Sequence, residues 1–290
     1  MAFRKMSNGL YMAEDKFGTK DEYGLLGEVE IGYGLAPHPK NPRLHILKNP
    51  IAKKPNQVLM GGSLYALEKM FNVSAQLQVE YLNNILHVAQ TGTPVSTRYN
   101  REHSICLWTI GNGGAGSSID DVNDVLQQHR DLMGMIPFRM VDTPFEKGTE
   151  EYDKYWLMKQ LDNGKYGYYA KTFDSVVTLD ALWKDAGDDE DGSAVVEDDW
   201  SSAKTTPIET FGEMIMSLEI EDLREWYDYY SNTAGKPRFN TFGLCAGIKA
   251  PTSETTEDYK QVIQCTGVSF GNELLHMNKT MYILYRLYTK

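Results

Sequence analysis

A glycine-rich loop between an apolar run and a helix-like segment limits which folds this chain can adopt. The stretch reads ICLWTIGNGGAGSSIDDVNDVL over residues 105–126, and Gly111, Gly113 and Gly116 have the spacing G-x-G-x-x-G. A strand, such a loop and a helix, followed by an acidic residue about twenty positions on, outline a dinucleotide-binding unit. Asp131 fills that last place. The corresponding fold also requires parallel strands that alternate with crossover helices.

The residues around the loop favour a structural turn instead. The next candidate strand, MIPFRMVD, is interrupted by Pro137, and the later segments read as hairpins, which a parallel sheet does not contain. Asp120 and Asp121 would also place negative charge at the helix N-terminus that must hold a pyrophosphate. We therefore predict a tight turn, no cofactor, no catalytic residues and no enzymatic activity. The alternative is a nucleotide-dependent enzyme that uses the loop at residues 111–116.

Strand patterns dominate from residue 135 to residue 290. The dipeptide Asn163-Gly164 is typical of a hairpin turn. The stretch ETFGEMIMSLEI places its methionines on one face and its polar residues on the other, as in a half-buried strand. The terminal MYILYRLYT is bulky on both faces, which is typical of a central strand or of one covered by a partner. We predict an α+β fold with an antiparallel, β-rich, sandwich-like body, a few peripheral helices and an extended N-terminal arm.

Helical patterns accompany these strands. The stretch SAQLQVEYLNNILHVAQTG carries an apolar stripe at helical spacing before Gly92, so helices are predicted over residues 63–91. Ser118 and Asp121 form a capping box that begins a second helix, predicted over residues 118–133. EDLREWYDYY is a short helix, whereas TEEYDKYWLMK fits either one helix or a helix followed by a strand. Residues 61–290 are predicted to form one body.

Residues 1–60 show little helical or strand periodicity and are predicted to form an extended, Gly/Pro-rich basic arm. Five prolines lie between residues 37 and 55, which favours extended backbone. No acidic residue lies between Glu30 and Glu68, whereas this part contains the basic residues Lys40, Arg43, Lys48, Lys53 and Lys54. Such an arm would lie across an acidic neighbour or form a solvated loop around its own domain. We expect that removal of residues 1–60 leaves the body folded and abolishes assembly.

Residues 184–206 are acidic and poor in apolar side chains, and they are predicted to form a mobile insertion. Within them, GDDEDGSAVVED has the register of an EF-hand, but Gly187 offers no ligand at its first position and Asp198 replaces the bidentate glutamate at its last. We predict no tight calcium site, while weak binding of a divalent ion stays open. The six histidines show neither H-x-x-x-H nor H-E-x-x-H spacing, so no zinc site is predicted.

Charge and cysteine usage exclude several classes of protein. The formal net charge of −11 disfavours general binding of nucleic acid, because a negative protein repels the phosphate backbone. The sequence contains neither an apolar run of membrane-spanning length nor a secretory leader pattern, so we expect a cytoplasmic protein without membrane contact. Cys106, Cys245 and Cys265 lie in apolar, strand-like runs, as reduced core thiols do, although a disulfide between Cys245 and Cys265 stays open.

Several short motifs resemble virion structural proteins of large tailed bacteriophages, of the kind found around the neck and tail. The motifs are ICLWTIGNGGAG, the helix after it, GMIPFRMVD, RFNTFGLCAG and MYILYRLYT. The last two are similar to a closing pattern of tail-associated and fibre-attachment proteins, in which an N-x-x-G-L-x-x-G strand precedes an aromatic-rich final strand. The resemblance covers residues 105–290 and leaves the basic arm and residues 63–92 unmatched.

The resemblance implies a structural virion protein, made in the host bacterial cytoplasm, that assembles as a symmetric ring or collar in the head-to-tail neck or tail. Its partners would be other copies of itself and neighbouring portal, neck or tail components. The basic arm and the two-faced terminal strand supply the candidate contact residues, namely Lys40, Arg43, Lys48, Lys53, Lys54, Tyr282, Arg286 and Tyr288. A further alternative is a receptor- or glycan-binding tail-associated protein that displays aromatic side chains, namely Trp156, Tyr166, Tyr168 and Tyr169.

Overall fold

The computed structural model shows two packed antiparallel sheets, a separate two-stranded ribbon and short helices at the margins of the sheets. The structure describes residues 2–5, 11–14, 25–39, 44–71, 80–88, 103–114, 123, 125–126, 129, 131–132, 134–175, 178–183, 208–230, 237–251, 257–274 and 279–289.

The described residues contain sixteen strands and four helices. The strands are β1 (Ala2–Lys5), β2 (Tyr11–Glu14), β3 (Leu25–Pro37), β4 (His45–Pro55), β5 (Gln57–Val58), β6 (Ser104–Gly111), β7 (Met135–Ile136), β8 (Arg139–Val141), β9 (Tyr155–Gln160), β10 (Tyr166–Thr172), β11 (Thr178–Trp183), β12 (Ile208–Leu218), β13 (Arg238–Pro251), β14 (Glu257–Gln264), β15 (Thr266–Leu274) and β16 (Met281–Thr289). The helices are α1 (Met60–Phe71), α2 (Leu82–Ile85), α3 (Glu150–Lys154) and α4 (Glu221–Tyr230).

The first sheet has five strands in the order β11-β12-β16-β3-β4. Its centre is β16, which pairs along its whole length with β12 on one side and with β3 on the other. Met281, for example, lies opposite Leu218 of β12 and Tyr33 of β3. The bulky residues on both faces of MYILYRLYT therefore belong to a central strand, as the sequence indicated.

The second sheet has nine strands, with β5-β15-β13-β6-β10-β8 as its main path. β14 extends β13, β7 pairs with β6, and β9 pairs with β10. The sheet curls so that β14 lies close to α3 and β9. The Glu257 N–H donates to the Tyr152 hydroxyl at 2.8 Å, and Tyr259 packs edge-on against Trp156 at 4.9 Å between ring centroids. The curl encloses a second apolar cluster that includes Leu107, Trp156 and Val262.

The main core lies between the two sheets. The five-stranded sheet contributes alternate residues of its inner face, Val29, Ile31, Met214, Met216, Ile283 and Tyr285. The nine-stranded sheet contributes aromatic and branched residues, Trp108, Ile110, Phe239, Phe242 and Phe270. All of these side chains are almost fully buried. Two antiparallel sheets facing each other across one apolar layer confirm the predicted α+β, sandwich-like fold.

The structure corrects the predicted boundary of the N-terminal arm at residue 60. Leu25–Pro37, His45–Pro55 and Gln57–Val58 form β3, β4 and β5, and Val29 and Ile31 are 1% exposed in the main core. The backbone is extended here, as the prolines predict, but it belongs to the sheet. β3 forms hydrogen bonds with β16 on one side and with β4 on the other. Among the described strands, β1 and β2 pair only with each other, so any arm ends before Leu25.

The predicted helices at residues 63–91 are only partly present. α1 covers Met60–Phe71, but Tyr81 is extended, α2 has four residues, and His87 has a φ of 53°, which ends that turn. The Asn83 side chain fixes this short turn to the sheet: its oxygen accepts from the Val262 N–H at 2.9 Å, and its amide donates to the Tyr259 carbonyl at 2.9 Å. The four-residue turn is therefore attached to β14 by a buried polar side chain.

The helix predicted over residues 118–133 is wrong where the structure describes it. Asn123, Val125, Leu126, His129, Asp131 and Leu132 lie in irregular backbone. Val125 and Leu132 are buried, and a Cβ added at Gly267 would lie 2.6 Å from Val125 Cγ1. The apolar residues thus pack over a glycine of β15. Ser118 and Asp121, the proposed capping box, lie outside the described residues.

Other local predictions are confirmed. Gly164 has a φ of 83° in the turn between β9 and β10, and the Leu161 N–H donates to the Lys165 carbonyl at 2.8 Å. TEEYDKYWLMK is a helix followed by a strand, and EDLREWYDYY forms α4. The stretch YKQVIQCTGVSF contributes to two strands, β14 and β15, which meet at Cys265. The acidic insertion at residues 184–206, with its calcium-like register, lies outside the described residues.

Candidate interaction surface

The glycine loop is tied into the neighbouring strand β13. The Gly114 N–H donates to Asn240 Oδ1 at 2.7 Å, and Asn240 Nδ2 donates to the Asn112 carbonyl at 2.9 Å. The Asn112 N–H donates to the Gly134 carbonyl at 3.0 Å. A Cβ at Gly114 would lie 2.5 Å from Thr241 Cγ2, so only glycine fits there without a shift of the side chain. The described part of the loop therefore uses its backbone donors to fix the end of β6; Ala115 and Gly116 lie outside the described residues.

The strand pairing around this loop differs from that of a dinucleotide-binding fold. β6 is antiparallel to β13, to β10 and to β7. A dinucleotide site of the G-x-G-x-x-G type lies at the carboxyl ends of parallel strands. The strand context that the nucleotide-dependent alternative requires is therefore contradicted.

The aromatic residues considered for glycan binding are not displayed to solvent. Trp156, Tyr168 and Tyr169 are buried, and Tyr166 is half-buried. Tyr168 stacks on Phe145 at 4.7 Å between ring centroids, and its hydroxyl accepts from the Phe145 N–H at 2.9 Å. These rings serve packing within the nine-stranded sheet, so the predicted display of this set is wrong.

The basic residues lie on an edge strand. β4 is the last strand of the five-stranded sheet, and Lys48, Lys53 and Lys54 are exposed along it. Lys53 forms an exposed ion pair with Glu28 of β3, a type of contact that adds little to folding stability. Lys40 and Arg43 lie outside the described residues. The structure therefore places three of the five predicted basic contact residues on one exposed strand.

Three features of β4 oppose simple addition of another strand at its edge. Pro50 and Pro55 lack a backbone N–H, and the pairing with β3 shifts between Gly32 and Ile31 so that Ile51 has no partner. Lysines, prolines and bulges are the devices by which edge strands avoid uncontrolled pairing. A partner of β4 would therefore contact its side chains more than its backbone. Ile51 is 43% exposed at this position.

The residues predicted on β16 contact their own chain. Tyr282 packs with Leu35 and Leu47 of the β3–β4 hairpin, beside Ile215 and Leu284. Arg286 Nε donates to Glu213 Oε2 of β12 at 2.9 Å. The backbone of Tyr288 lies opposite Phe211 and Leu26, and its side chain is not described. Tyr282 and Arg286 thus hold the sheet together rather than forming a free surface.

A buried carboxylate fastens the start of β4 to the sheet. Glu213 is 2% exposed; it accepts from Arg286, and its Oε1 lies 2.8 Å from His45 Nδ1. The Arg286 guanidinium also donates to the His45 carbonyl. Burial raises the pKa of nearby Glu30, against the opposing effect of the Arg286 charge. The β3–β4 hairpin is therefore held in place at the end where β4 begins.

A second exposed surface, which the sequence reasoning missed, lies on α4. Tyr229 and Tyr230 are 54% and 45% exposed, and with Trp226 they form a cluster with ring centroids 4.3 Å and 4.7 Å apart. We call these three residues the α4 aromatic cluster. The spacing of Trp226, Tyr229 and Tyr230 at i, i+3 and i+4 places them on one helix face, whereas Tyr227 is buried. That spacing was the available sequence signal.

Acidic residues surround the α4 aromatic cluster. Asp162 is exposed, and burial together with the charges of Tyr229 and Asp162 raises the pKa of Tyr230. Asp142 lies 2.9 Å from Lys165 Nζ, and Glu225 lies 3.1 Å from Arg139 Nη2. Asp162, Asp142 and Glu225 thus stand against two basic side chains, so the net charge of these five groups is negative.

Hydrogen bonds to buried groups fix the beginning of α4. Asp222 is 1% exposed; it accepts from the Tyr155 hydroxyl at 2.7 Å and from the Glu219 N–H at 3.1 Å. The next residue, Leu223, has a φ of 71°, and its N–H donates to the Phe138 carbonyl at 2.7 Å. The helix that carries the aromatic cluster is thus fixed to β8 and β9.

The three cysteines lie near one another on the strands β6, β13 and β14–β15, as free thiols. Burial raises the pKa of Cys106 to about 11 and that of Cys265 to about 12, and it raises the pKa of Cys245 well above its usual value. The placement of Cys245 and Cys265 in the core is confirmed. Thiols of this kind are weak nucleophiles at neutral pH.

Comparisons with known proteins gave no relative: no family model, curated protein or solved structure matches the chain. Within the described ranges, no group of three or more His, Cys, Asp or Glu side chains is placed to hold a metal ion. In the same residues, none of the helices has the length and apolar character needed to cross a membrane.

Proposed function

We propose that this protein is a structural component of a tailed-bacteriophage virion that assembles as a symmetric ring or collar in the head-to-tail neck or tail. Its partners are other copies of itself and neighbouring portal, neck or tail proteins, and it reaches the virion after synthesis in the host cytoplasm. The proposed self-assembly rests on one observation: a net charge of −11 coexists with an exposed basic strand at the edge of the five-stranded sheet.

Local positive charge on an acidic protein favours contacts between unlike surfaces of identical subunits. The repulsion between two whole molecules opposes random contact, whereas β4 of one molecule is attracted to acidic surface on another. Contacts between two different surfaces repeat from subunit to subunit and close into a ring when the rotation permits. Strand β4 is an exposed edge that resists strand addition, and the His45–Glu213 contact holds it in place. Such a strand suits an interface formed by side chains.

The assignment to a phage particle has separate support. It rests on the short motifs within residues 105–290 that resemble neck and tail proteins, and the antiparallel sandwich agrees with a building block held by protein contacts. Self-assembly and location in the particle are therefore tested separately.

The test of self-assembly is the molar mass of the purified full-length chain by light scattering after gel filtration, at low and at high salt. We expect a discrete oligomer at low salt that dissociates partly at high salt, because salt screens contacts between exposed charges. Negative-stain images are expected to show rings. A monomer at every salt concentration and at high protein concentration contradicts assembly by self-contacts.

The test of location uses antibodies raised against the purified chain. On particles purified from a culture that expresses the protein, we expect gold label at the neck or tail and detection of its peptides in the particles by mass spectrometry. Absence of the chain from purified particles, while it is present in the infected cell, contradicts the virion assignment.

A further inference from the structure

We infer that the α4 aromatic cluster and its acidic surroundings form the docking site for strand β4 of a second copy of this chain. The inference rests on the self-assembly proposed above and identifies the two surfaces that meet. It joins an exposed basic strand to an exposed aromatic and acidic surface, each of which lacks a covering element among the described residues.

The α4 aromatic cluster is suited to hold a strand of this composition. Aromatic faces attract lysine ammonium groups through cation–π contacts, and the attraction increases when the contact excludes water. Tyrosine and tryptophan are also enriched at the centres of protein interfaces, and aromatic-lined surfaces bind extended, proline-containing segments. The acidic residue Asp162 beside the cluster adds attraction for a basic ligand, and Asp142, whose side chain is exposed, lies in the same region.

Strand β4 offers the complementary groups. Lys48 and Lys54 carry exposed positive charge, Ile51 presents an exposed apolar side chain, and Pro50 and Pro55 supply rigid apolar rings. The strand is already ordered by its pairing with β3, so docking costs little conformational entropy. Three of the protein's exposed large apolar side chains, Ile51, Tyr229 and Tyr230, would be covered in this contact.

The two surfaces lie on different parts of the body. β4 is the edge of the five-stranded sheet, whereas α4 packs on β8 of the nine-stranded sheet. Contact between them in two copies is therefore head-to-tail, which leaves one β4 and one α4 cluster free for the next copies. Such contacts propagate into a ring or a filament and do not stop at a dimer.

The experiment is cross-linking between two single-substitution variants of the full chain. One preparation carries Ile51→Cys and the other Tyr229→Cys, and the two are mixed and treated with a short bismaleimide. The native thiols have raised pKa values, so they contribute little background, which the unsubstituted chain measures as a control. We expect a cross-linked pair that contains one copy of each variant, and no cross-linking within either variant alone.

Charge exchange between the two surfaces provides a second readout. Lys48→Glu combined with Lys54→Glu, and Asp162→Lys combined with Asp142→Lys, are each expected to weaken self-association at least about tenfold, because each places like charges across the contact. Mixing the two variants is expected to restore association between them. Lys147→Glu, an exposed reversal outside β4 and the aromatic cluster, serves as the control and is expected to leave association unchanged.

The outcomes separate this inference from the proposed function. If the unsubstituted chain forms an oligomer but the Ile51→Cys and Tyr229→Cys variants do not cross-link and the charge variants do not rescue each other, the pairing of β4 with α4 is overturned and assembly through other surfaces stands. If the unsubstituted chain is monomeric at every concentration, both are overturned. Circular dichroism of each variant shows whether it is folded, and a variant that unfolds is replaced by its milder form, Lys54→Gln or Asp162→Asn.

Discussion

Lys171 Nζ lies 2.8 Å from Asp222 Oδ2, and both side chains are shielded from water. Lys171 also donates to the Ser217 carbonyl at 2.7 Å, and the rings of Trp108, Phe138 and Tyr155 lie within 6.0 Å of its ammonium group. This ion pair joins β10 to the start of α4. A buried pair of charges is not a strong net source of stability, but it becomes costly when one partner is lost.

Replacement of Asp222 by asparagine is therefore expected to destabilise the protein by about 3–5 kcal/mol, because Lys171 is left as an uncompensated buried charge. The free energy of unfolding in urea, followed by tryptophan fluorescence, measures this loss. The double variant Lys171→Met/Asp222→Asn is expected to recover part of it. Glu221→Gln, at the exposed neighbouring position, is the control and is expected to leave the transition almost unchanged. If Asp222→Asn and Glu221→Gln had equal effects, the Lys171–Asp222 pair would have no special role.

The substitution Gly114→Ala is expected to destabilise the chain, because the added Cβ would lie 2.5 Å from Thr241 Cγ2 and 2.9 Å from the Asn240 carbonyl oxygen. We expect a loss of about 1–3 kcal/mol, as for other overpacked sites. Gly271→Ala is the matched control, since no atom lies within 4 Å of its Cβ position. If Gly114→Ala were neutral and NAD or ATP raised the melting temperature of the unsubstituted chain, the structural interpretation of the loop would fail.

Truncation distinguishes the arm from the body. A chain that begins at Leu25 is expected to fold, because β1 and β2 share no described pairing with the two main sheets. A chain that begins at residue 61 is expected to lose cooperative unfolding, since it lacks Val29 and Ile31 of the core and the strand that pairs with β16. Near-ultraviolet circular dichroism and thermal melts measure both. Native-like melting of the shorter chain would restore the original expectation that residues 1–60 are dispensable for folding.

The stability of the protein is expected to depend on the ionisation of Asp258. Burial raises the pKa of this carboxyl from 3.8 to about 6. Between these pH values the folded chain binds a proton that the unfolded chain releases, so stability falls as the pH rises from about 4 to about 6 and shows no further loss from this group above that range.

Asp258→Asn tests this effect. The amide oxygen can still accept from the Tyr259 N–H, a contact of 2.7 Å to Asp258 Oδ1, but it carries no charge. At pH 7 the variant is expected to be more stable by about 1–2 kcal/mol, which is less than the full value of the shift because the side chain is only half-buried. The advantage is expected to vanish near pH 4. Urea unfolding at several pH values measures it, with Glu150→Gln as an exposed control; a constant difference across this range would contradict the mechanism.

Local patterns in the sequence were sufficient for much of the second half of the chain. The alternation around Met214 and Met216, the bulky residues on both faces of β16 and the Asn163-Gly164 turn each predicted the observed element. The prediction that β12 is half-buried is wrong, because Glu213 and Ser217 on its polar face are buried as well. Hairpins and exposed helix faces depend on residues close in sequence. They can therefore be predicted without knowing which distant segment of the chain packs against them. The same holds for the buried cysteines, which lie in apolar runs.

Contacts between residues far apart in the sequence determined the rest. β3 and β4 contain glycines, prolines and lysines that give no clear strand pattern, and they are strands because β16 supplies the hydrogen-bond partners of β3 from the opposite end of the chain. The Asn83 side chain attaches α2 to β14, and His45 contacts Glu213 across 168 positions. The sequence thus predicted an antiparallel, sandwich-like body, but the inclusion of β3 and β4 in it depends on long-range pairing that no local periodicity records.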